Sequence, residues 1–297
     1  MKIKLILLFC IALMSSCNAQ KSAIIAEGAE LTLVADDYEF TEGPAVAPNG
    51  DVYFTDQPND RIVKWDASTN TVSDWMQPSG RANGLYFDHK GNLLACADDN
   101  TELWSIDPEK KVTVLLKTYL GKKFGGPNDL WVDPKGGIYF TDPYYQRPWW
   151  NYTEPEIKER RVYYFTPETG EIKIATEGGY SQPNGIVGSA DGKTLYVADN
   201  GNKKTYVFTI NDDGSLSDKK LFVDMGSDGM TIDNLGNVYL TGNGVTIFDR
   251  TGKQINHINI NKGWTANVTF GGKDQDVLFI TAMDAVYTLK MNVRGIR

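Results

Sequence analysis

The sequence predicts an all-β chain closed into one six-bladed β-propeller. Three observations carry this. A short phrase returns six times, as EGPAVAPNGDVYFTD (42–56), NGLYFDHKGNLLACAD (83–98), NDLWVDPKGGIYFTD (128–142), NGIVGSADGKTLYVAD (184–199), DGMTIDNLGNVYLTG (228–242) and NVTFGGKDQDVLFITA (267–282). Each copy is a polar opener, usually Gly next, an apolar run, a Gly-containing turn and a second strand-like run. A β-rich repeat of about 40–50 residues is the signature of propeller blades. The strand signals are rich in β-branched and aromatic residues, and long amphipathic helical patterns are absent.

In chain order, residues 1–16 read as a secretory signal: a basic start, an apolar run and small residues. The run is too short for a spanning helix. MSSC ending at Cys17 resembles a bacterial lipobox, so Cys17 is expected to be lipidated, with ordinary cleavage near Ala19 as the alternative. Residues 17–30 are expected to be a tether, and 31–297 the propeller. RIVKWD (61–66) with TVSDWM (71–76), and KTYVFTI (204–210) with KLFVD (220–224), are expected as outer strands. LTLVAD (31–36) and AVYTLKM (285–291) are expected to pair and close the ring, which removes an exposed edge. The longest interval between openers carries an insertion, PYYQRPWWNYTEPEIKERR (143–161), after the second strand of blade 3. In an antiparallel pair the end of the second strand returns to the start of the first, so the insertion belongs on the openers' rim. Tyr145, Arg147 and Trp149 make it a candidate wall over the channel mouth, against the plainer reading of a surface excursion packed on its own aromatics.

The formal charge of −8 argues against a nucleic-acid surface and suits cation binding. After cleavage before a lipidated Cys17 the only other cysteine is Cys96, so no intramolecular disulfide is available. The chain has two histidines. His89 falls in a turn at the end opposite the openers, and His257 in an outer strand. Neither is placed for a Ser-His-Asp triad, and no zinc-type His or Cys cluster exists. GKKFGGPND (121–129) does not match a phosphate loop.

A propeller puts equivalent positions of every blade around one axis. The openers Glu42, Asn83, Asn128, Asn184, Asp228 and Asn267 should therefore converge. Two carboxylates with amide oxygens form a hard-oxygen set suited to Ca²⁺ or Mg²⁺. Held together without a cation, the carboxylates would push at least one pKa up. Asn184 is the natural neutral third ligand and Asn128 a fourth; Asn83 and Asn267 are left for water, substrate or the carboxylates. A dry polar plug is the alternative. Simple Asn-Gly turn chemistry fits less well, because the next Gly cluster already supplies each turn. Asp56, Asp98, Asp142 and Asp199 close second strands and are expected to bond loop backbone rather than metal.

EGP (42–44), PND (127–129), PNG (183–185) and SDGM (227–230) resemble the gluconolactonase, regucalcin and senescence-marker family of six-bladed propellers, over roughly residues 31–290. The resemblance implies that Glu42, Asn184 and Asp228 bind one divalent metal, with Asn128 a further ligand or a substrate or water contact. Animal members carry an Arg, which holds the sugar, where this chain has Gly126; TDPYYQR (141–147) is closer to bacterial gluconolactonases. The implied activity is metal-dependent opening of a sugar lactone. Asp228 would be ligand and general base. Asn83, Asn128, Asn267, Tyr145, Arg147 and Trp149 would contact the substrate. Ca²⁺ is the expected metal, with Mg²⁺, Mn²⁺ or Zn²⁺ as alternatives. The expected partners are a small sugar lactone and no nucleic acid, with the membrane reached only through a lipid anchor. The protein is expected to be a monomeric lipoprotein facing the periplasm or the cell surface of a bacterial envelope. The rival readings are a phosphotriesterase or other lactonase on the same site, and a non-enzymatic surface propeller plugged by Ca²⁺.

Overall fold

The computed structural model of the chain describes residues 24–176 and 178–296. The expected signal sequence and Cys17 lie outside the described residues. Among the described residues are six four-stranded antiparallel sheets and one two-stranded hairpin, with no α-helix. Each recurring phrase supplies the two inner strands of a blade. In blade 1 these are Thr41–Val46 and Val52–Asp56, followed outward by Arg61–Asp66 and Thr71–Met76. Blades 2 to 5 repeat this order, with inner strands beginning at Ala82, Leu130, Pro183 and Met230. Several turns between the inner strands are held by an Asp: one carboxylate oxygen accepts two backbone N–H groups two and four residues on, at Asp88, Asp133 and Asp233. This is the side-chain bonding that makes Asp a turn former.

Blade 6 is built from both ends of the chain. Asn267–Gly271, Val277–Ala282 and Ala285–Lys290 are joined by Thr32–Ala35, with Thr32 opposite Thr288 and Leu33 opposite Tyr287. The expected closure of the ring therefore forms. The expected tether needs correction at its end. Ile24 is buried in the apolar cluster between blades 5 and 6, Ile25 bridges to Met291, and the Ala26 N–H donates to the Lys290 carbonyl. The propeller thus extends back to Ile24.

The second strands are the most buried elements; Leu93–Ala97, Ile138–Asp142 and Val238–Gly242 are buried throughout. Apolar clusters fill the gaps between neighbouring blades, so the core is a ring of wedges around the channel. Burial of this kind contributes roughly 25 cal/mol per Å² of apolar surface, and the described part contains no disulfide.

At the axis the inner strands crowd one another, and this explains the Gly after most openers. A Cβ on Gly43 would sit 2.0 Å from the Asn83 carbonyl oxygen, and one on Gly229 would sit 1.9 Å from the Asn267 side chain. Only glycine permits that approach. The hairpin Thr118–Tyr119 and Lys122–Lys123, between blades 2 and 3, has no counterpart in the strand pattern read from the sequence.

Candidate active site

The openers of five blades meet at one end of the channel. Glu42, Asn83, Asn128, Asn184 and Asp228 line a cavity of about 610 Å³, together with Phe40, Tyr145, Arg147, Gln182, Asn200, Lys203, Asn243 and Trp264. Five of the six openers thus converge as expected. Asn267 does not reach this cavity. Its Nδ2 donates to Glu42 Oε2 at 3.3 Å and to Asp129 Oδ2 at 3.5 Å. With Asp129 it lines a second cavity of about 390 Å³ on the opposite side of the ring, where His89 also lies. Asn267 is therefore a support beneath Glu42 rather than a substrate contact; of the roles left open for it, the carboxylate is the one it takes.

Glu42 is buried, and its Oε2 also accepts the Gly43 N–H at 2.8 Å. Burial pushes its pKa well above the usual carboxylate range, and the charge of Asp228 adds to that. The charge of Asp129 acts the same way, while hydrogen bonds from Gly43 and Asn267 act against it. Asp228 is also raised, first by burial, and is held down in part by hydrogen bonds from Trp264 and Asn184. Asn184 Nδ2 donates to Asp228 Oδ1 at 2.6 Å and to the Tyr145 hydroxyl at 3.1 Å. A buried glutamate raised further by a half-buried aspartate, ringed by amides, is a donor set that a divalent cation would satisfy. Among the described residues no cluster of three or more His, Cys, Asp or Glu side chains could hold a metal. The oxygen set is therefore two carboxylates, Glu42 and Asp228, plus the amides Asn184 and Asn128. Its chemistry fits a hard cation such as Ca²⁺ or Mg²⁺ and lacks the nitrogen or sulfur donors that zinc usually takes.

The 143–161 insertion stands on this rim, as its place in the chain requires. Tyr145 and Arg147 line the cavity. Trp149 does not: it lies one layer back, with the Arg81 guanidinium 4.6 Å and that of Arg147 5.8 Å from its ring centre. It shapes the wall through Arg147 instead of touching a ligand. Arg147 is anchored by Asp98, whose Oδ2 accepts its Nε–H at 2.7 Å and the Gln57 amide at 3.1 Å. The Trp150 indole donates to the Asp98 carbonyl at 2.8 Å and its ring stacks on Tyr152. Burial raises Asp98 to about 6 despite Arg147.

The other strand-closing carboxylates bond loop backbone. Asp56 accepts from the Glu39 and Phe40 N–H groups, Asp142 from Gly125, and Asp199 from Ser181 and Gln182. Of the wall residues that reasoning from the sequence missed, among them Phe40, Gln182, Asn200, Lys203 and Asn243, Trp264 is the one bonded to Asp228. Its indole donates to Asp228 Oδ2 at 2.5 Å. A single Trp in the loop before blade 6 belongs to no repeat, so nothing in the pattern marks it.

Comparison with known proteins agrees with this architecture. Residues 40–284 match the model of a family described as the SMP-30/Gluconolactonase/LRE-like region. A gluconolactonase of Zymomonas mobilis is 30% identical over 306 residues, covering 92% of this chain and 84% of that protein. A pentonolactonase of Haloferax volcanii is 24% identical over 251 residues, covering 81% of this chain and 80% of the relative. The solved structure of a gluconolactonase from Xanthomonas campestris superposes with a TM-score of 0.85 at 28% identity, over 91% of this chain and 92% of that one. From its repeated blades, its converging openers and these matches, the chain belongs to the SMP-30/gluconolactonase/LRE-like family.

Proposed function

We propose that the protein is a divalent-metal-dependent hydrolase that opens sugar lactones. One observation carries the reading. Glu42 and Asp228, from the two blades that flank blade 6, share one cavity with Asn184 and Asn128. Relatives named gluconolactonase and pentonolactonase supply the lactone class. The amides of Asn83, Asn128, Gln182, Asn184, Asn200 and Asn243 support a polyhydroxylated ligand, because an amide both donates to and accepts from a hydroxyl.

Glu42, Asn184 and Asp228 would hold the cation, with Asn128 as a fourth donor. When bound, a Ca²⁺ ion (or Mg²⁺ or Mn²⁺) would polarise the lactone carbonyl and stabilise the charge that develops on its oxygen. Asp228 receives the proton of the attacking water on a carboxylate oxygen and returns it to the ring oxygen as the acyl C–O bond breaks. Asn184 keeps that carboxylate in place through its 2.6 Å bond. Asn83 and Asn128 orient water or sugar hydroxyls. The Tyr145 hydroxyl, pushed up to about 12 by burial, stays protonated and so remains a donor at neutral pH. Arg147 is fixed by Asp98 and offers its remaining N–H groups to the ring substituents.

The test is a panel of aldono-γ- and δ-lactones assayed by acid release, with and without chelator. Loss of turnover on chelation and recovery with Ca²⁺, Mg²⁺ or Mn²⁺ is the expected result. Equal rates for stripped and loaded protein would sink the mechanism. We further propose that the protein is exported and anchored through lipid on Cys17, as a monomer. Loss of the membrane-bound fraction on Cys17→Ala checks the anchor, and sedimentation of the detergent-solubilised protein checks the stoichiometry.

A further inference from the structure

We propose that Trp264 is the positioning residue that fixes the Asp228 carboxylate; this rests on reading Asp228 as base and ligand. Trp264 lies between the outer strand Gln254–Ile258 of blade 5 and the inner strand Asn267–Gly271 of blade 6. The two residues after it are tied to both sides of the ring gap. The Thr265 N–H donates to the Gly242 carbonyl at 2.8 Å and the Ala266 N–H to Thr281 at 2.9 Å. The indole rests over Gly242, where a Cβ would meet its Cη2 at 3.5 Å, and faces the cavity. Its one polar atom is spent on Asp228 Oδ2, while Asn184 holds Oδ1.

Both oxygens of Asp228 are thus gripped by N–H donors from different parts of the ring, which leaves the carboxylate little freedom to turn. The choice of donor has a chemical reason. An indole N–H donates but neither accepts nor ionises near neutral pH. It can hold the carboxylate without adding a positive charge that would compete with a cation, and without offering a rival place for the proton. A hydrophobic wall would need no such donor: Phe40 lines the same cavity with none.

Two variants separate positioning from wall-building. Trp264→Phe keeps a ring and removes the donor; Trp264→Gln keeps a neutral donor of similar reach and removes the ring. Both are made in the full chain and checked for an unchanged melting temperature. Positioning predicts that Trp264→Phe lowers kcat and weakens Ca²⁺ binding by about 10–100-fold, the usual effect of losing an outer-layer partner, with KM little changed. Trp264→Gln then stays nearer wild type in kcat. The reverse pattern, a normal kcat in Trp264→Phe with KM raised in Trp264→Gln, would overturn the proposal. If the wild-type protein opens no lactone, the functional reading fails by itself, and calorimetric titration with Ca²⁺ still decides: equal affinity in wild type and Trp264→Phe refutes the role. Should the wild type bind no Ca²⁺, the indole ¹⁵N–¹H resonance that vanishes in Trp264→Phe must move in Asp228→Asn, and an unmoved resonance refutes the contact itself.

Discussion

Side chains that carry chemistry and glycines that permit close approach alternate at the axis, and the recurring opener–Gly pair records that division. Gly43 has φ of +45° and faces the Asn83 carbonyl; Gly229 faces the Asn267 amide. Gly43→Ala is expected to cost about 1–3 kcal/mol through overpacking, with about 1 kcal/mol more from the left-handed backbone. Gly229→Ala should cost less than Gly43→Ala, because it meets a side chain rather than backbone. Urea denaturation of the two variants tests the order. Asp228→Asn keeps the shape of the site and removes the base, so turnover should fall about 10²–10⁴-fold while the urea midpoint holds or rises. The midpoint does not fall because a carboxylate raised by desolvation gives way to a neutral amide. The converging openers were legible in the sequence because a polar residue recurs at the same place in every copy. Depth along the channel was not. Asn267 heads its blade as Asn83 and Asn128 head theirs, yet it sits one layer lower, under Glu42. How far each inner strand reaches toward the axis depends on packing between blades, which leaves no mark in a single copy.

Strands and loops were read with uneven success, for reasons of length and period. Outer strands with regular alternation fall where expected: the strand Lys204–Ile210 coincides with KTYVFTI, and Arg61–Asp66 with RIVKWD. The hairpin at Thr118–Tyr119 and Lys122–Lys123 was not legible, since two-residue strands contain no alternation. The 143–161 insertion could be assigned to the openers' rim from antiparallel geometry alone. Its internal order could not, because Trp149 and Trp150 look alike in sequence while one stacks under arginines and the other bonds Asp98. The Arg147–Asp98 pair is the ionic tie that fastens this loop to blade 2. Asp98 is buried and Arg147 is mostly covered, so Arg147→Met leaves a buried carboxylate without its cation. A loss of about 3 kcal/mol is expected at pH 8, measured by urea titration. The loss should shrink toward pH 5, where Asp98, already raised to about 6 and raised further in the variant, takes a proton and needs no partner. A loss of equal size at both pH values would show that packing, not charge, secures the loop.

Across the whole molecule, the ring concentrates buried acid at its axis, and this ties its stability to both protons and cations. Glu42 is raised by burial and by the charge of Asp228, Asp228 is raised by desolvation, and Asp129, just beneath, is raised by burial to about 7. A carboxyl group raised in the folded state binds its proton more tightly there than in the unfolded chain, where its pKa is about 4. The folded protein therefore holds more protons than the unfolded one between about pH 4 and pH 7, and stability falls as pH rises through that window. A divalent cation between Glu42 and Asp228 would act in the opposite sense. It binds the ionised pair, so protons compete with it below the raised pKa values and leave it unopposed above them. Ligand that binds only the folded state adds RT ln(1 + [L]/Kd), about 2.7 kcal/mol when the ligand is at about 100 times Kd. The rise in melting temperature caused by millimolar Ca²⁺ should accordingly be larger at pH 8 than at pH 5. The stripped protein should show the reverse dependence and melt lower at pH 8. Glu42→Gln removes one of the two charges, so it should flatten the fall in stability of the stripped protein and reduce the Ca²⁺ increment at pH 8. Differential scanning fluorimetry of wild type and Glu42→Gln, each with Ca²⁺ or EDTA at both pH values, measures all of these effects. A Ca²⁺ increment independent of pH in the wild type would place the cation away from this carboxylate pair.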